Sequence, residues 1–249
     1  MVHSDSQVDT HDVLFEHYRT IAYGRANPFN PEDFTREMDP SFGRLLPTDR
    51  GSRILDIGCG MGQFLSYLLQ KGYRNVAGVE LSAEQVEFCQ QKVTPSVTQV
   101  SDVVSFLSER RESWDCIVFK DVIEHLPRQQ VIPTLSAILR ALAPGGMAIV
   151  ETGNLASPAG WFVRYIDFTH ESGFTENSLR QVLRAVGFTE IEISGNAPVV
   201  YSWRSYFRIV AQSLWHFSLR LMYSLDRGWN ATPRLLSPCL IARAVKSAK

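Results

Sequence analysis

Ten residues constrain this chain more than any others: Arg53-Ile54-Leu55-Asp56-Ile57-Gly58-Cys59-Gly60-Met61-Gly62. An apolar run of strand type carries an acid near its end and leads into a turn with glycines at alternate positions. From Gln63 to Lys71 the apolar residues take helical spacing, with Phe64, Leu65, Leu68 and Leu69 on one side. Strand, glycine turn and helix together let backbone amides approach a ligand with no Cβ in the way. Alternating glycine is shared by dinucleotide-binding loops and some tight structural turns, so the ligand has to be read from the rest of the chain.

Further segments repeat the strand–helix alternation. Asn75–Glu80 reads as a second strand followed by a helix over Ser82–Lys92, and Pro95–Val100 as a third followed by a helix to Arg110. Trp114–Phe119 is a nearly continuous apolar run of the kind buried on both faces of a sheet. A helix over Arg128–Ala143 ends in a Pro-Gly-Gly turn before the strand Met147–Thr152. Ser178–Val186 is a helix stopped by Gly187, Phe188–Ile193 alternates as a strand, and Pro238–Val245 is a last strand paired antiparallel at or near the edge. The pattern predicts an α/β fold: a Rossmann-like, doubly wound, mostly parallel seven-stranded sheet with an antiparallel last strand and a helical insertion before it. The expected organisation is a helical lid over 1–50, a core over 51–195, an insertion over 196–237 and a final strand and tail over 238–249. Within the lid, Val13–Tyr23 reads as a helix with Leu14, Phe15, Tyr18 and Ile21 on its apolar face.

In doubly wound sheets ligands bind beyond the carboxyl ends of the strands. Asp56, Glu80, Asp102 and the residues after Phe119 all fall there. Glu80 stands 24 residues after Asp56, close to the spacing at which nucleotide-binding folds place a carboxylate for two ribose hydroxyls; capping of the next helix is its structural alternative. Asp102 suits an N-cap.

The string Leu-Asp-Ile-Gly-Cys-Gly-x-Gly, with Leu142-Ala143-Pro144-Gly145-Gly146, resembles the class I S-adenosylmethionine (SAM) dependent methyltransferases. That resemblance implies SAM as cofactor, held by Asp56, Gly58, Cys59, Gly60, Gly62, Glu80, Leu81, Asp102, Val103 and Lys120, with Asp102 accepting from the adenine amino group. Methyl transfer to a hydroxyl needs alignment and removal of a proton, so a base or a metal is expected at the rim.

Two stretches offer both. In Lys120-Asp121-Val122-Ile123-Glu124-His125-Leu126, a helical turn would point Asp121, Glu124 and His125 one way. Such oxygen ligands with one imidazole suit Mg, Mn or Zn. In Tyr165-Ile166-Asp167-Phe168-Thr169-His170-Glu171, read as a polar loop, His170 completes a metal set or acts as a base. The first stretch resembles two metal-using branches, the ubiquinone-pathway O-methyltransferases and the small-RNA 2′-O-methyltransferases, although Asp121 stands where those usually carry Glu. The same pattern also occurs in class I enzymes with no demonstrated metal, where His125 is a base or a brace. Asp167-Phe168-Thr169-His170, Phe174-Thr175-x-x-Ser178-Leu179 and Gly187-Phe188 resemble bacterial methyltransferases of envelope-glycan and natural-product pathways. The function implied is O-methylation of a sugar, envelope glycan or related small metabolite. The alternatives are a quinone-type phenol O-methyltransferase and, in another class, a SAM-binding regulatory protein without catalysis.

A net charge of −1 gives no reason to expect nucleic acid as a partner. The four cysteines are scattered without metal-type pairing, no apolar run reaches membrane-spanning length, and no signal-peptide core opens the chain, so the expected location is cytoplasmic. The insertion holds a helix over Trp203–Leu225 with an i+4 stripe of Arg204, Arg208, Gln212, His216 and Arg220 amid aromatic and apolar residues. Its narrow polar stripe suits packing on several protein sides, as a cover for the substrate side or a homodimer interface. The same residues suit peripheral contact with the inner membrane face.

Overall fold

The computed structural model describes residues 29–248; the helix expected over Val13–Tyr23 lies outside the described residues. At the centre, β1 (Arg53–Ile57) pairs in parallel with β2 (Asn75–Glu80) on one side and β4 (Trp114–Lys120) on the other. With β3 (Val97–Gln99), β5 (Leu142–Gly153), β6 (Thr189–Gly195) and β7 (Cys239–Val245), the sheet runs β3-β2-β1-β4-β5-β7-β6. All pairs are parallel except those of β7, which is antiparallel to both neighbours. The expected seven strands are present. β7 lies one place in from the edge, and β6 takes the edge.

Period-two alternation sorts the central strands into two cores. Ile54, Cys116, Val118 and Ile149 face one side, under Phe42, Phe64, Leu68 and Cys89 of α1 (Pro31–Phe42), α2 (Gln63–Gln70) and α3 (Ala83–Lys92). Leu55, Ile57, Ile117 and Phe119 face the other, under α4 (Val103–Ser108), α5 (Arg128–Ala141) and α7 (Glu176–Val186). Both faces being covered explains the unbroken apolar run of β4. α1 is pinned across α2 by Asp39, which accepts from Tyr67 Oη at 2.9 Å and pairs with Lys71 at 2.7 Å.

Two boundaries differ from expectation for local reasons. α5 stops at Ala141, because Leu142 already pairs with Trp114, and the Pro-Gly-Gly turn becomes an irregular lead into β5. The segment after β5 is not all loop. Ser157-Pro158 starts α6 (Pro158–Ile166), in keeping with the fixed φ of proline in a first turn. That helix sits on the strand end only because Gly160 has no side chain; a Cβ there would lie 1.8 Å from the Asn154 carbonyl oxygen. Asn154, fully buried, fixes the junction by donating to Leu235 and Ser237 carbonyls and accepting from the Ala156 amide.

α8 (Trp203–Arg227) is the helix of the insertion. Within the single chain, only Ser205 and Leu219 of its 25 residues are buried.

Candidate active site

The glycine turn is held from below by β2. Gly58 and Cys59 amides both donate to the Val79 carbonyl, at 2.8 and 3.1 Å. Gly58, Gly60 and Gly62 have φ of +70°, +55° and +86°, the left-handed region that side chains resist. At Gly58 a Cβ would also meet Val122 Cγ2 at 2.4 Å, so the loop and the β4 rim approach each other across a hydrogen atom. Cys59 points its thiol inward and is buried, which leaves its backbone as the part of that residue at the turn.

Glu80 closes this turn. One carboxylate oxygen accepts from the Gly60 amide at 2.9 Å, and the other from Leu81 and Ser82 amides at 2.8 and 3.0 Å. Glu80 thus binds the two amides leading into α3, up to its N-cap Ser82, together with the glycine loop. Leu81 follows at the strand end and uses its carbonyl to accept from Gln99. Asp102 caps α4, accepting from Val104, Ser105 and the Ser105 hydroxyl, and Val103 packs against the core beside it. Asp56 is buried with one carboxylate oxygen lacking a partner. Burial pushes its pKa up to about 8, opposed by Lys120 and reinforced by Glu80. A buried acceptor awaiting a donor, beside a turn that glycine keeps free of side chains, fits a ligand that carries an ammonium group, as SAM does.

Past β4 the arrangement differs from the one read in the sequence. Lys120, half-buried, pairs with Glu151 at 3.0 Å and with Asp121, so its ammonium is committed to carboxylates. Burial alone would lower its pKa, but the two acids hold it well above the usual lysine range. Asp121 adopts φ +53°, and the turn after it is a single 3₁₀ turn, Ile123–His125, instead of an α-helical one. Asp121, Glu124 and His125 therefore do not fan toward one point. Asp121 turns to Lys120, and Glu124 is buried beside Thr152. Burial, aided by the charge of Asp121, pushes Glu124 up to about 8. Asp121 and Glu124 are corrected from metal ligands to parts of the supporting charge cluster.

The set that does converge among the described residues is His125, Asp167 and His170, with ligand atoms all within 4.8 Å of one another. The two rings meet edge to face at a centroid distance of 4.5 Å. Asp167 Oδ1 accepts from the Thr169 amide at 2.9 Å and from its hydroxyl at 2.7 Å. With its only proton given to Asp167, the Thr169 hydroxyl must accept from His125 Nδ1, 2.8 Å away. His125 is then the Nδ1–H tautomer with an unprotonated Nε2. His170 Nδ1 faces the Arg164 carbonyl at 3.3 Å, which fixes the same tautomer there. Burial, then the neighbouring His170, holds His125's pKa down at about 4, so its ring is neutral near pH 7. Two imidazole Nε2 lone pairs and a carboxylate fit a divalent transition ion, and equally a general base. Asp167 and Thr169 lie within the stretch expected to be functional, and their place in the cluster arises from a contact spanning 44 residues, which local spacing does not signal.

Residues 28–193 match the family model described as "Methyltransferase domain". The chain is 32% identical over 126 residues to the 2-methyl-6-phytyl-1,4-hydroquinone methyltransferase of Synechocystis sp., covering 49% of this chain and 38% of that protein. It is 31% identical over 145 residues to the ubiquinone biosynthesis O-methyltransferase of Xylella fastidiosa, covering 55% and 57%. The chain thus spans from over a third to just over half of the length of these relatives. Among solved structures it resembles the phosphoethanolamine N-methyltransferase 2 of Haemonchus contortus in complex with SAM, at a TM-score of 0.63 and 19% identity over 97% of this chain and 61% of that one. With the sheet order and the glycine turn in place, these matches make the chain a member of the SAM-dependent methyltransferase family.

Proposed function

We propose that the protein is an O-methyltransferase that transfers the SAM methyl group to a hydroxyl of a small metabolite, a sugar or envelope glycan being the first choice. The observation that carries the reading is the His125–Thr169–Asp167 relay at the rim of β4 and β5. It holds a neutral imidazole with Nε2 as proton acceptor, which a hydroxyl nucleophile needs and a neutral amine does not. SAM supplies an electrophilic methyl on a positively charged sulfur. In this chain the Gly58–Gly62 turn and Asp56 would hold its amino-acid end, Glu80 with Leu81 its ribose, and Asp102 with Val103 its adenine. Lys120, through its pairs with Asp121 and Glu151, would steady the rim.

The ubiquinone and hydroquinone relatives favour a second acceptor, a quinone-type phenol, for the same base. A divalent ion held by His125, Asp167 and His170 would act as a Lewis acid on either hydroxyl.

The test is SAM titration by calorimetry, followed by S-adenosylhomocysteine release with sugar, phenol and amine acceptors. Turnover on hydroxyls lost in His125→Gln supports the reading; turnover on amines alone overturns it. SAM binding with no turnover on any acceptor would instead favour a regulatory binder. Metal content before and after chelation, with restoration by Mn, decides between base and metal.

A further inference from the structure

We propose that α6 and α8 together form a docking surface for an anionic lipid bilayer, lying in its interface. The described residues include 20 exposed large apolar side chains, and all but Leu69 and Ile132 fall between Trp161 and Trp229. In α8 the residues Trp203, Phe207, Val210, Leu214, Phe217 and Leu221 recur at spacings of four and three, forming one stripe. The buried Ser205 and Leu219 lie on the opposite side, so the stripe points away from the protein. In α6, Trp161, Phe162, Tyr165 and Ile166 are likewise exposed. α8 is tied to the segment just before α6, where Tyr223 Oη donates to the Ala156 carbonyl at 3.1 Å.

The charge around the stripe identifies the occupant. α8 holds four arginines, Arg204, Arg208, Arg220 and Arg227, against one acid, Asp226. A second copy paired through the same face would set these arginines against arginines, since a two-fold interface pairs a surface with itself. Anionic headgroups supply the missing countercharge, and arginine stems bridge from an apolar face to headgroup level. Aromatic content agrees: four of the five tryptophans, Trp161, Trp203, Trp215 and Trp229, are exposed in this region, and Trp and Tyr favour the water–hydrocarbon boundary. No described helix is long and apolar enough to cross a membrane, so α8 would lie in the surface plane. Phe168, 85% exposed between Asp167 and Thr169, places the catalytic cluster at the margin of this face.

Flotation with vesicles of phosphatidylcholine and phosphatidylglycerol, against phosphatidylcholine alone, tests the proposal on the full chain. Expected is at least ten-fold more bound protein on anionic vesicles, loss of most binding in Phe207→Ser/Leu214→Ser/Leu221→Ser, and loss of the anionic preference in Arg204→Gln/Arg227→Gln. SAM titration of each variant confirms that the core is intact and reports on the cofactor reading separately. Should the triple variant misfold, Phe162→Ser/Tyr165→Ser carries the same expectation. Absence of flotation on anionic vesicles overturns the proposal, as does a dimer that the triple variant dissociates while no vesicle binding is seen.

Discussion

His125 and Thr169 stand 44 positions apart, and the 2.8 Å bond from Nδ1 of the one to the hydroxyl of the other decides which imidazole nitrogen faces the rim. The hydroxyl can accept that bond because it donates to Asp167. A carboxylate thus orients an imidazole through an intervening hydroxyl.

Asp167→Asn and Thr169→Val are therefore expected to lower turnover by about 10–100-fold, the usual scale for groups that orient a functional histidine. Calorimetric SAM affinity should stay as in the parent protein. A fall in SAM affinity with turnover per bound cofactor unchanged would contradict the orienting role.

Glu80→Gln replaces an acceptor of three backbone amides with one that retains a single carbonyl oxygen. A charge-assisted bond is worth about 1.5–3 kcal/mol, which corresponds to a SAM affinity weaker by roughly ten- to a hundred-fold. Equilibrium titration measures this directly.

Gly58→Ala meets both a positive φ and Val122. The backbone strain alone costs about 1–3 kcal/mol. The expected outcome is a lower midpoint of thermal unfolding together with weakened SAM binding. Unchanged values for both would show that the loop can move away from Val122.

Asp56 gives the apo protein a pH dependence of definite sign. Its folded pKa of about 8 exceeds the ordinary 3.8, so the folded state holds the proton more tightly than the unfolded state does. The stability it contributes is fully present below the ordinary value and is lost as pH rises through about 8. Asp56→Asn should remove that loss, narrowing the difference in apo melting temperature between pH 5 and pH 8. A variant with the parent slope would assign the dependence to other groups.

Asn154→Leu keeps volume but strands two carbonyls and an amide at the joint between β5, α6 and the segment before β7. A destabilisation of about 3 kcal/mol is expected in urea unfolding, from buried polar groups at about 1–3 kcal/mol each.

The sheet was legible because its central strands are buried on both faces and write that burial as apolar runs. The glycine turn and Glu80 were legible because backbone conformation and strand-end position restrict residue type locally. The rim was harder. Reading Asp121, Glu124 and His125 as one fan assumed an α-helical turn, which the positive φ of Asp121 and the 3₁₀ geometry after it break. Asp167 and Thr169 matter through a tertiary contact that no local spacing encodes. α6 was hard to read because it is only nine residues long and lies between a buried strand end and a polar loop, although Trp161, Phe162, Tyr165 and Ile166 are spaced as one helical face.

The excursion that carries α8 leaves the sheet after Gly195 and returns by Leu240, and these two residues are register partners in the antiparallel pair of β6 and β7. Its two ends are therefore neighbours, and the hairpin they close keeps its register whatever length of chain is looped out between them. Lineages can lengthen, shorten or exchange this segment as a cassette while the glycine turn stays unaltered. If α8 serves the membrane docking proposed above, that attachment can change without disturbing the part of the fold that meets the cofactor.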